Sequence, residues 1–328
     1  MITLRQLFFA LTGALLISSG WLASAAEVKR FQIGYVGNST PSVEAGYVEV
    51  FERGLREHGY IDGQNVTINY RWAEGSNDKV SKIIDEFVKR HVDVIVVTGT
   101  FAPLTAKKAT STIPVIFTAG DPVAAGIVES LSRPGGNLTG FSSLESGITG
   151  KRLELLREFI PGRKRIAVLA NPKQPYTRVT IPATQAAAKA QHISLELFNA
   201  SNRDELEAAF SAIAKAKPDA LLILPDKPFF FTERANILRL VAKLRVPTSY
   251  PFPEYAADGG LFFYGAFSAD FFYRMSGYID KIFKGQNPAD LPIEQATRFE
   301  FFLNLKAARS LDIKVPQSIL LRADRIIE

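Results

Sequence analysis

The sequence predicts an α/β protein made of two doubly wound parallel-sheet lobes, and three observations support this. From residue 30 onward, short runs rich in Val and Ile alternate with segments whose apolar residues recur every three or four positions. The alternation is interrupted once, at SRPGGNLTGFSS (132–143), and then restarts in the same order. Because strand–helix–strand units build parallel sheets covered on both faces, we expect one lobe before the interruption and one after it.

The first half alternates four predicted strands with three predicted helices. The strands are RFQIGYVG, VTINYRW, VDVIVVT and PVIFTA, and the helices span 42–58, 77–91 and about 101–110. In the second helix the apolar residues form one stripe that should face the sheet: Val80, Ile83, Ile84, Phe87 and Val88. This half therefore predicts a complete first sheet with helices on both sides.

The second half repeats the pattern and ends in a less regular tail. The predicted strands are RIAVLA, ISLELFN, DALLILP and VPTSY, with helices at 148–160, 176–191, 203–216 and 231–244. The tail adds the strands GGLFFYG and FEFFLN, a helix at 268–284 and a short helix at 305–311. These last strands and helices could belong to either lobe. A chain that crosses between the lobes more than once would form a hinge of several segments.

The composition and the first 26 residues predict an exported globular protein. The chain has 328 residues, of which 47% are hydrophobic, so it can bury substantial cores. Residues 1–26 combine Arg5, a short apolar centre and small residues at 23, 25 and 26, which is typical of a cleavable signal peptide. Without cysteine there is no disulfide and no lipid-attachment site. We therefore expect a periplasmic protein that is not a lipoprotein and not embedded in the membrane.

The charge pattern and the motifs argue against nucleic-acid binding and catalysis. The net charge of +6 is spread along the chain without a long basic run. The three histidines, His58, His91 and His192, have no metal-ligand spacing, and no Gly-x-Ser-x-Gly motif or nucleophilic cysteine is present. The segment GITGKR lacks the first glycine and the final hydroxyl of a phosphate-binding loop. We expect no enzyme activity, no cofactor and no metal.

Candidate ligand-binding residues follow the strands directly. In open α/β sheets ligands bind beyond the carboxyl ends of the strands. Hydroxyl groups and helix N-termini there suit a carboxylate, whereas an acidic side chain suits an amine. Each hydroxyl or acid could instead be an ordinary helix cap or turn residue that contacts no ligand. The tyrosine could instead be part of the core packing. The candidates are Asn38, Ser39, Thr98, Gly99, Thr100, Asp121, Asp226 and Tyr250.

Several long blocks resemble one protein family. These include GLREHGYIDGQNVTINYRWAEG, VDVIVVTGT, GDPVAAGIVESLSRPGGNLTGFS, GKRLELLREFIPG and FEFFLNLKAARSLDI. They are similar to the ABC-transporter substrate-binding family that includes tryptophan- and tyrosine-binding members, from about residue 31 to 328. The resemblance implies a type I periplasmic-binding fold with a hinge of three segments, and ligand contacts at the candidate positions. Asp226-Lys227-Pro228 departs from the Asp-Asn-Thr expected in aromatic amino-acid binders.

The resemblance also implies the lobes, the ligand and the partners. The N-terminal lobe would comprise 27–141 plus about 267–299, and the C-terminal lobe 142–266 plus about 300–328. The protein would be a monomer that captures a small organic solute, an amino acid of aromatic or branched type, by lobe closure. It would deliver the solute to an ABC permease and ATPase complex in the inner membrane. A ligand-sensing receptor or regulator with the same two-lobed fold is the alternative.

Overall fold

Two β-sheets organise the part of the chain that the structure, a computed structural model, describes, which is residues 30–328. The predicted signal peptide at 1–26 lies outside these residues. Helices cover both faces of each sheet, as expected for strand–helix–strand units. The predicted fold class, two doubly wound lobes joined by a three-segment hinge, is confirmed.

The first lobe is built on a six-stranded sheet with the strand order β11-β5-β4-β3-β1-β2. All its neighbouring strands run parallel. Its strands are β1 (Phe31–Gly37), β2 (Val66–Trp72), β3 (Val94–Thr98), β4 (Val115–Ala119), β5 (Leu138–Ser142) and β11 (Glu294–Gln295). Its helices are α1 (Pro41–Glu57), α2 (Asn77–Lys89), α3 (Phe101–Ala109) and α9 (Ser268–Phe283).

The second lobe is built on a seven-stranded sheet with the order β13-β12-β10-β9-β8-β6-β7. Its strands are β6 (Arg165–Ala170), β7 (Ser194–Asn199), β8 (Ala220–Ile223), β9 (Thr248–Tyr250), β10 (Phe262–Ala266), β12 (Phe299–Asn304) and β13 (Arg325–Ile327). Its helices are α4 (Glu145–Phe159), α5 (Thr177–Ala190), α6 (Arg203–Ala216), α7 (Arg234–Leu244), α8 (Pro253–Ala257), α10 (Leu305–Ser310) and α11 (Gln317–Leu320). A π-helical turn, Lys227–Phe231, follows β8.

Each sheet has a hydrophobic core on both of its faces. In the first lobe Ile33 and Tyr35 of β1 pack with α1 and α9, whereas Val36 faces α2 and α3. The two faces receive alternate residues of one strand, as the pleat requires. The apolar stripe predicted for α2 is buried against the sheet, except that its last member, Val88, is only partly buried. These four cores hold the strand ends in fixed positions.

The chain passes between the sheets three times. It leaves the first sheet after Ser142, returns after Ala266 with α9 packed on α1, and leaves again after Gln295. Because the last crossing enters the second sheet from the hinge side, β12 runs antiparallel to β10. The parallel pattern is therefore broken at this one strand pair.

Two local features differ from the sequence-based expectation. The segment 132–143, expected to interrupt the pattern, ends in the buried strand β5, because the turn at Pro134, Gly135 and Gly136 is completed before the strand begins. The predicted helix 231–244 begins three residues later, since the π-helical turn occupies the preceding residues. No helix within residues 30–328 is long and apolar enough to cross a membrane.

Candidate ligand-binding site

A cavity of about 160 Å³ lies between the two lobes, at the carboxyl ends of strands from both sheets. Its lining includes Asn38 after β1, Thr98 at the end of β3 and Asp226 after β8. An apolar cavity of roughly 150 Å³ accommodates a benzene molecule. The space therefore suits a small solute that carries a single ring.

The polar wall of the first lobe begins at the ends of β1 and β3. The Asn38 side-chain amide donates hydrogen bonds to the Thr98 carbonyl oxygen at 3.0 Å and to Thr98 Oγ1 at 2.6 Å. Gly99 follows with a φ of +81°, a conformation that favours glycine. This arrangement joins two neighbouring strand ends and brings backbone and hydroxyl groups to the cavity surface.

The N-terminus of α3 provides a site for an anion beside this wall. Thr100 precedes the helix, but its side chain makes no capping hydrogen bond. Thr100, Phe101 and Ala102 all line the cavity. Because the first N–H groups of a helix have no partner within the helix, those of Phe101 and Ala102 can donate to a carboxylate placed in the cavity, whereas Pro103 has no N–H.

Asp226 is the acidic group of the second-lobe wall. Its side chain is 1% exposed and accepts hydrogen bonds from Asn171 Nδ2 at 2.7 Å and from the Phe229 N–H at 3.2 Å. It forms no ion pair with any residue that the structure describes. Burial raises the pKa of Asp226 to about 6, which the hydrogen bonds oppose. This carboxylate caps the π-helical turn and also offers negative charge to a ligand.

Arg152 and Glu145 form a buried ion pair in the cavity wall. Arg152 is 1% exposed, and its guanidinium NH1 lies 2.6 Å from Glu145 Oε1 while Nε donates to the Tyr264 carbonyl oxygen at 2.7 Å. Burial raises the pKa of Glu145, and the charge of Arg152 opposes this rise. The ion pair lies within α4, and the hydrogen bond from Arg152 Nε to Tyr264 connects this helix to β10.

The Tyr176 hydroxyl is a buried polar group without a hydrogen-bond partner among the described residues. Burial raises the pKa of this hydroxyl strongly, and the neighbouring charges of Asp226 and Glu145 raise it further, whereas Arg152 lowers it. The hydroxyl therefore remains protonated, lies near all three charged groups, and can donate or accept a hydrogen bond.

Five phenylalanines belong to the apolar lining of the cavity. They come from both lobes, so a solute lying between the lobes would be packed on opposite sides. The phenylalanines of this lining are Phe101, Phe252, Phe263, Phe271 and Phe272. Such a combination of apolar walls and a few directed polar groups is typical of small-molecule sites.

Direct contacts outside the cavity show that the lobes are closed on one another. The Tyr47 hydroxyl of α1 donates to Glu254 Oε1 of α8 at 3.2 Å. At another point Gly75 of the first lobe lies against the second lobe, since a Cβ atom at this position would lie 2.3 Å from the Pro228 carbonyl oxygen. The cavity therefore lies in the cleft of a conformation in which the two lobes contact one another.

The structure places the sequence-predicted residues in two groups. Asn38, Thr98, Gly99, Thr100 and Asp226 line the cavity together. Within the described residues, Ser39, Asp121 and Tyr250 do not line it. The Ser39 N–H donates to Glu44 Oε1, Asp121 accepts hydrogen bonds from Ser146 at the start of α4, and the Tyr250 ring stacks on Tyr255 in the core.

Sequence reasoning missed several polar lining residues. Arg152, Glu145 and Tyr176 lie on or beside helices, and no strand-end signal identifies them. Their position depends on how α4 and α5 pack. Ser76 is recognisable in the sequence as the N-cap of α2, and Asn77 directly follows it. Asn77 could therefore have been found from the sequence as a residue at a helix N-terminus, as Thr100 was.

Comparisons with known proteins show which proteins this chain is similar to. A family model described as ABC transporter substrate binding protein matches residues 39–327. A tyrosine-binding protein of Clostridioides difficile (strain R20291) is 26% identical over 265 residues, which cover 80% of this chain and 76% of the relative. The structure of an ABC domain in complex with L-Trp, from Streptococcus pneumonia, superposes with a TM-score of 0.84 at 26% identity, covering 91% of this chain and 100% of that one.

A second solved structure is equally similar. It is a conserved domain protein from Vibrio cholerae O1 biovar eltor, with a TM-score of 0.84 and 26% identity over 90% of this chain and 99% of that chain. The similarity to these structures extends over both lobes, since it covers at least 90% of this chain.

Proposed function

Since the chain belongs to the family of ABC transporter substrate-binding proteins, we propose that it captures an amino acid outside the cytoplasmic membrane and delivers it to an ABC importer. The family consists of binding proteins and not of enzymes, and its members bind a small ligand. One observation carries the proposal: a helix N-terminus of the first lobe and an unpaired carboxylate of the second lobe line a single interlobe cavity.

The chemistry of the cavity fits a zwitterion. The solute's carboxylate would accept hydrogen bonds from the first N–H groups of α3 and from the Thr98 and Thr100 hydroxyls. Its ammonium group would pair with Asp226, which lacks a cation among the described residues. Because these partners belong to different lobes, the solute is fully bound only when the lobes are closed.

The transporter would recognise the closed conformation of the two lobes. A solute that contacts both lobes shifts the population from the open to the closed form by its difference in affinity for the two. The permease and ATPase would then receive a closed, loaded protein. The proposed site of action is the periplasm, with a monomer as the acting unit, which agrees with the signal peptide predicted for residues 1–26.

The names of two relatives support the amino-acid class. One similar protein is a tyrosine-binding protein and one similar structure holds L-Trp. The five phenylalanines in the cavity wall provide apolar surface for a side chain of that kind. An aromatic or branched amino acid is therefore the proposed solute.

Calorimetric titration of the mature protein with the twenty L-amino acids tests this function. The proposal expects at least one aromatic or branched amino acid to bind with a micromolar or lower Kd, which corresponds to about −8 kcal/mol or better. It also expects Asp226→Asn to weaken that binding at least tenfold. Tight binding of sugars or anions without amines, with no amino acid binding, would contradict the proposal.

A further inference from the structure

The side chain of Asn77 presents a buried oxygen for which the described residues offer no hydrogen-bond partner. Asn77 is the first residue of α2 and one of the residues that line the interlobe cavity. The helix does not use this side chain as its cap, because the Ser76 hydroxyl already accepts a hydrogen bond from the Lys79 N–H. The Asn77 oxygen is therefore free to accept a hydrogen bond from a solute.

Asn77 lies at the end of the cavity away from the hinge. It follows the β2–α2 connection, and β2 is the edge strand of the first sheet. The hinge begins after β5, four strands away in the order β5-β4-β3-β1-β2, which at about 4.8 Å per strand is roughly 19 Å. Arg152 by contrast contacts the Tyr264 carbonyl oxygen on β10, beside the hinge. The two ends of the cavity thus carry different polar groups.

Lobe closure is what buries this end of the cavity. Gly75, two residues before Asn77, lies against the second lobe, since a Cβ atom there would lie 2.3 Å from the Pro228 carbonyl oxygen. When the lobes separate, Pro228 moves away and water can reach the Asn77 amide. Closure removes that water, and an acceptor that loses water without gaining a partner opposes the closed state.

We propose that Asn77 is a specificity-determining residue, which makes closure depend on a solute that donates a hydrogen bond at the end away from the hinge. The inference rests on the proposed amino-acid function and deepens it. An amino acid with a side-chain O–H or N–H restores the hydrogen bond that closure removes. Its apolar counterpart leaves the Asn77 oxygen unpaired, so it is bound more weakly although it fills the same space.

The Tyr176 hydroxyl also lines the cavity and also has no hydrogen-bond partner among the described residues, but it does not impose the same requirement. It lies near Asp226, Glu145 and Arg152, as their effect on its pKa shows. A hydroxyl both donates and accepts, so either the carboxylate or the ammonium of any amino acid satisfies it. The Asn77 oxygen only accepts, so it distinguishes solutes by whether their side chain carries a hydrogen-bond donor.

Two pairs of amino acids that differ by one hydroxyl group test the inference by calorimetry: L-tyrosine with L-phenylalanine, and L-threonine with L-valine. In the pair that fits the cavity, we expect the hydroxyl member to bind at least tenfold more tightly. Asn77→Ala should reduce this preference to within about threefold, mainly by weakening the hydroxyl member. Asn77→Asp keeps an acceptor and should keep the preference. Asn236→Ala, on α7 and outside the cavity lining, is the matched control and should change neither Kd.

Scattering of the ligand-free protein gives a second readout that needs no solute. Asn77→Ala removes the group whose burial opposes closure, so its radius of gyration should be smaller than that of the wild type. Equal weakening of both members of a pair by Asn77→Ala, or an unchanged preference, would overturn the inference while leaving amino-acid binding intact. Failure of all four amino acids to bind, in a protein that also binds no other amino acid, would contradict the proposed function itself and this inference with it.

Discussion

Lys227 and Tyr47 belong to different lobes, yet the Lys227 ammonium nitrogen lies 4.7 Å from the centre of the Tyr47 ring. The same ring stacks on Phe272 at 4.8 Å, and its hydroxyl donates to Glu254 across the cleft. A cation over an aromatic face and a hydrogen bond to a carboxylate are both favourable. The closed form is therefore stabilised by direct contacts between the lobes in addition to any solute.

Tyr47→Phe should weaken solute binding without touching the cavity lining. The substitution keeps the ring beneath Lys227 but removes the hydrogen bond to Glu254, so the closed state loses about 1 kcal/mol and Kd rises about fivefold. Calorimetry measures this change. Tyr273→Phe is the control, because its hydroxyl donates to Glu57 within the first lobe. An equal loss in both variants would show that the Tyr47 contact does not favour closure.

Gly75→Ala should prevent full closure. The new Cβ atom would lie 2.3 Å from the Pro228 carbonyl oxygen across the cleft, so we expect at least a tenfold loss of affinity. Gly63→Ala is a matched control, since Gly63 has a φ of +82° against +80° for Gly75 but open space around its Cβ position. Each variant should lose about 1 kcal/mol of stability from backbone strain. Equal affinities in the two variants would contradict the closed form described here.

The affinity for an amino acid should fall in acid because of Asp226. Its carboxyl group has a pKa of about 6 in the ligand-free protein and must be ionised to pair with an ammonium group. We expect Kd to rise about tenfold between pH 7 and pH 5. In Asp226→Asn the affinity should be weaker at pH 7 and flat over this range. A wild-type affinity that increases toward pH 5 would remove Asp226 from the ammonium site.

The stability of the ligand-free protein should also depend on Asp226. The folded state raises the pKa of this carboxyl group from 3.8 to about 6, so it favours the protonated form. The resulting stabilisation is fully present below about pH 4 and is lost as the pH rises through 6, by up to about 3 kcal/mol. Urea unfolding at pH 4 and pH 7 measures it. Asp226→Asn should lack this part of the pH dependence; an identical pH dependence would contradict the raised pKa.

Removal of Arg152 alone should destabilise the second lobe. Arg152→Met leaves Glu145 buried without its cation, which is expected to reduce the free energy of unfolding by about 3–5 kcal/mol. The double variant Arg152→Met, Glu145→Leu replaces the whole pair with apolar side chains and should recover most of that loss. Urea denaturation checks both. A double variant as unstable as the single one would show that the hydrogen bond to Tyr264, and not the ion pair, is the important contact.

The fold could be predicted from the sequence because its signals are local. Helical and strand periodicities lie within single elements, and residues such as Thr98 and Asp226 directly follow the strands that position them. Whether a side chain at a strand end points into the core or into the cavity cannot be predicted from the periodicity of its own strand. Tyr250, the last residue of β9, points into the core, whereas Phe252 two residues later lines the cavity.

The contribution of Arg152 could not be predicted in this way. Its Nε contacts the carbonyl oxygen of Tyr264, a residue 112 positions away in the chain, and the packing of α4 on β10 brings the two together. Nothing in the pattern around GITGKR indicates that partner. Asn77 likewise is a buried acceptor two residues after Gly75, which lies against Pro228 of the second lobe. Groups whose environment depends on two lobes have no signature within either lobe.

Small-angle scattering of the mature protein, with and without a saturating amino acid that calorimetry shows to bind, tests lobe closure most directly. The protein should change from an open to a closed form, so its radius of gyration should fall on binding. The closed profile should match the one calculated from this structure, and Gly75→Ala should not reach it. A radius of gyration that stays constant while the amino acid is bound would contradict capture between the lobes.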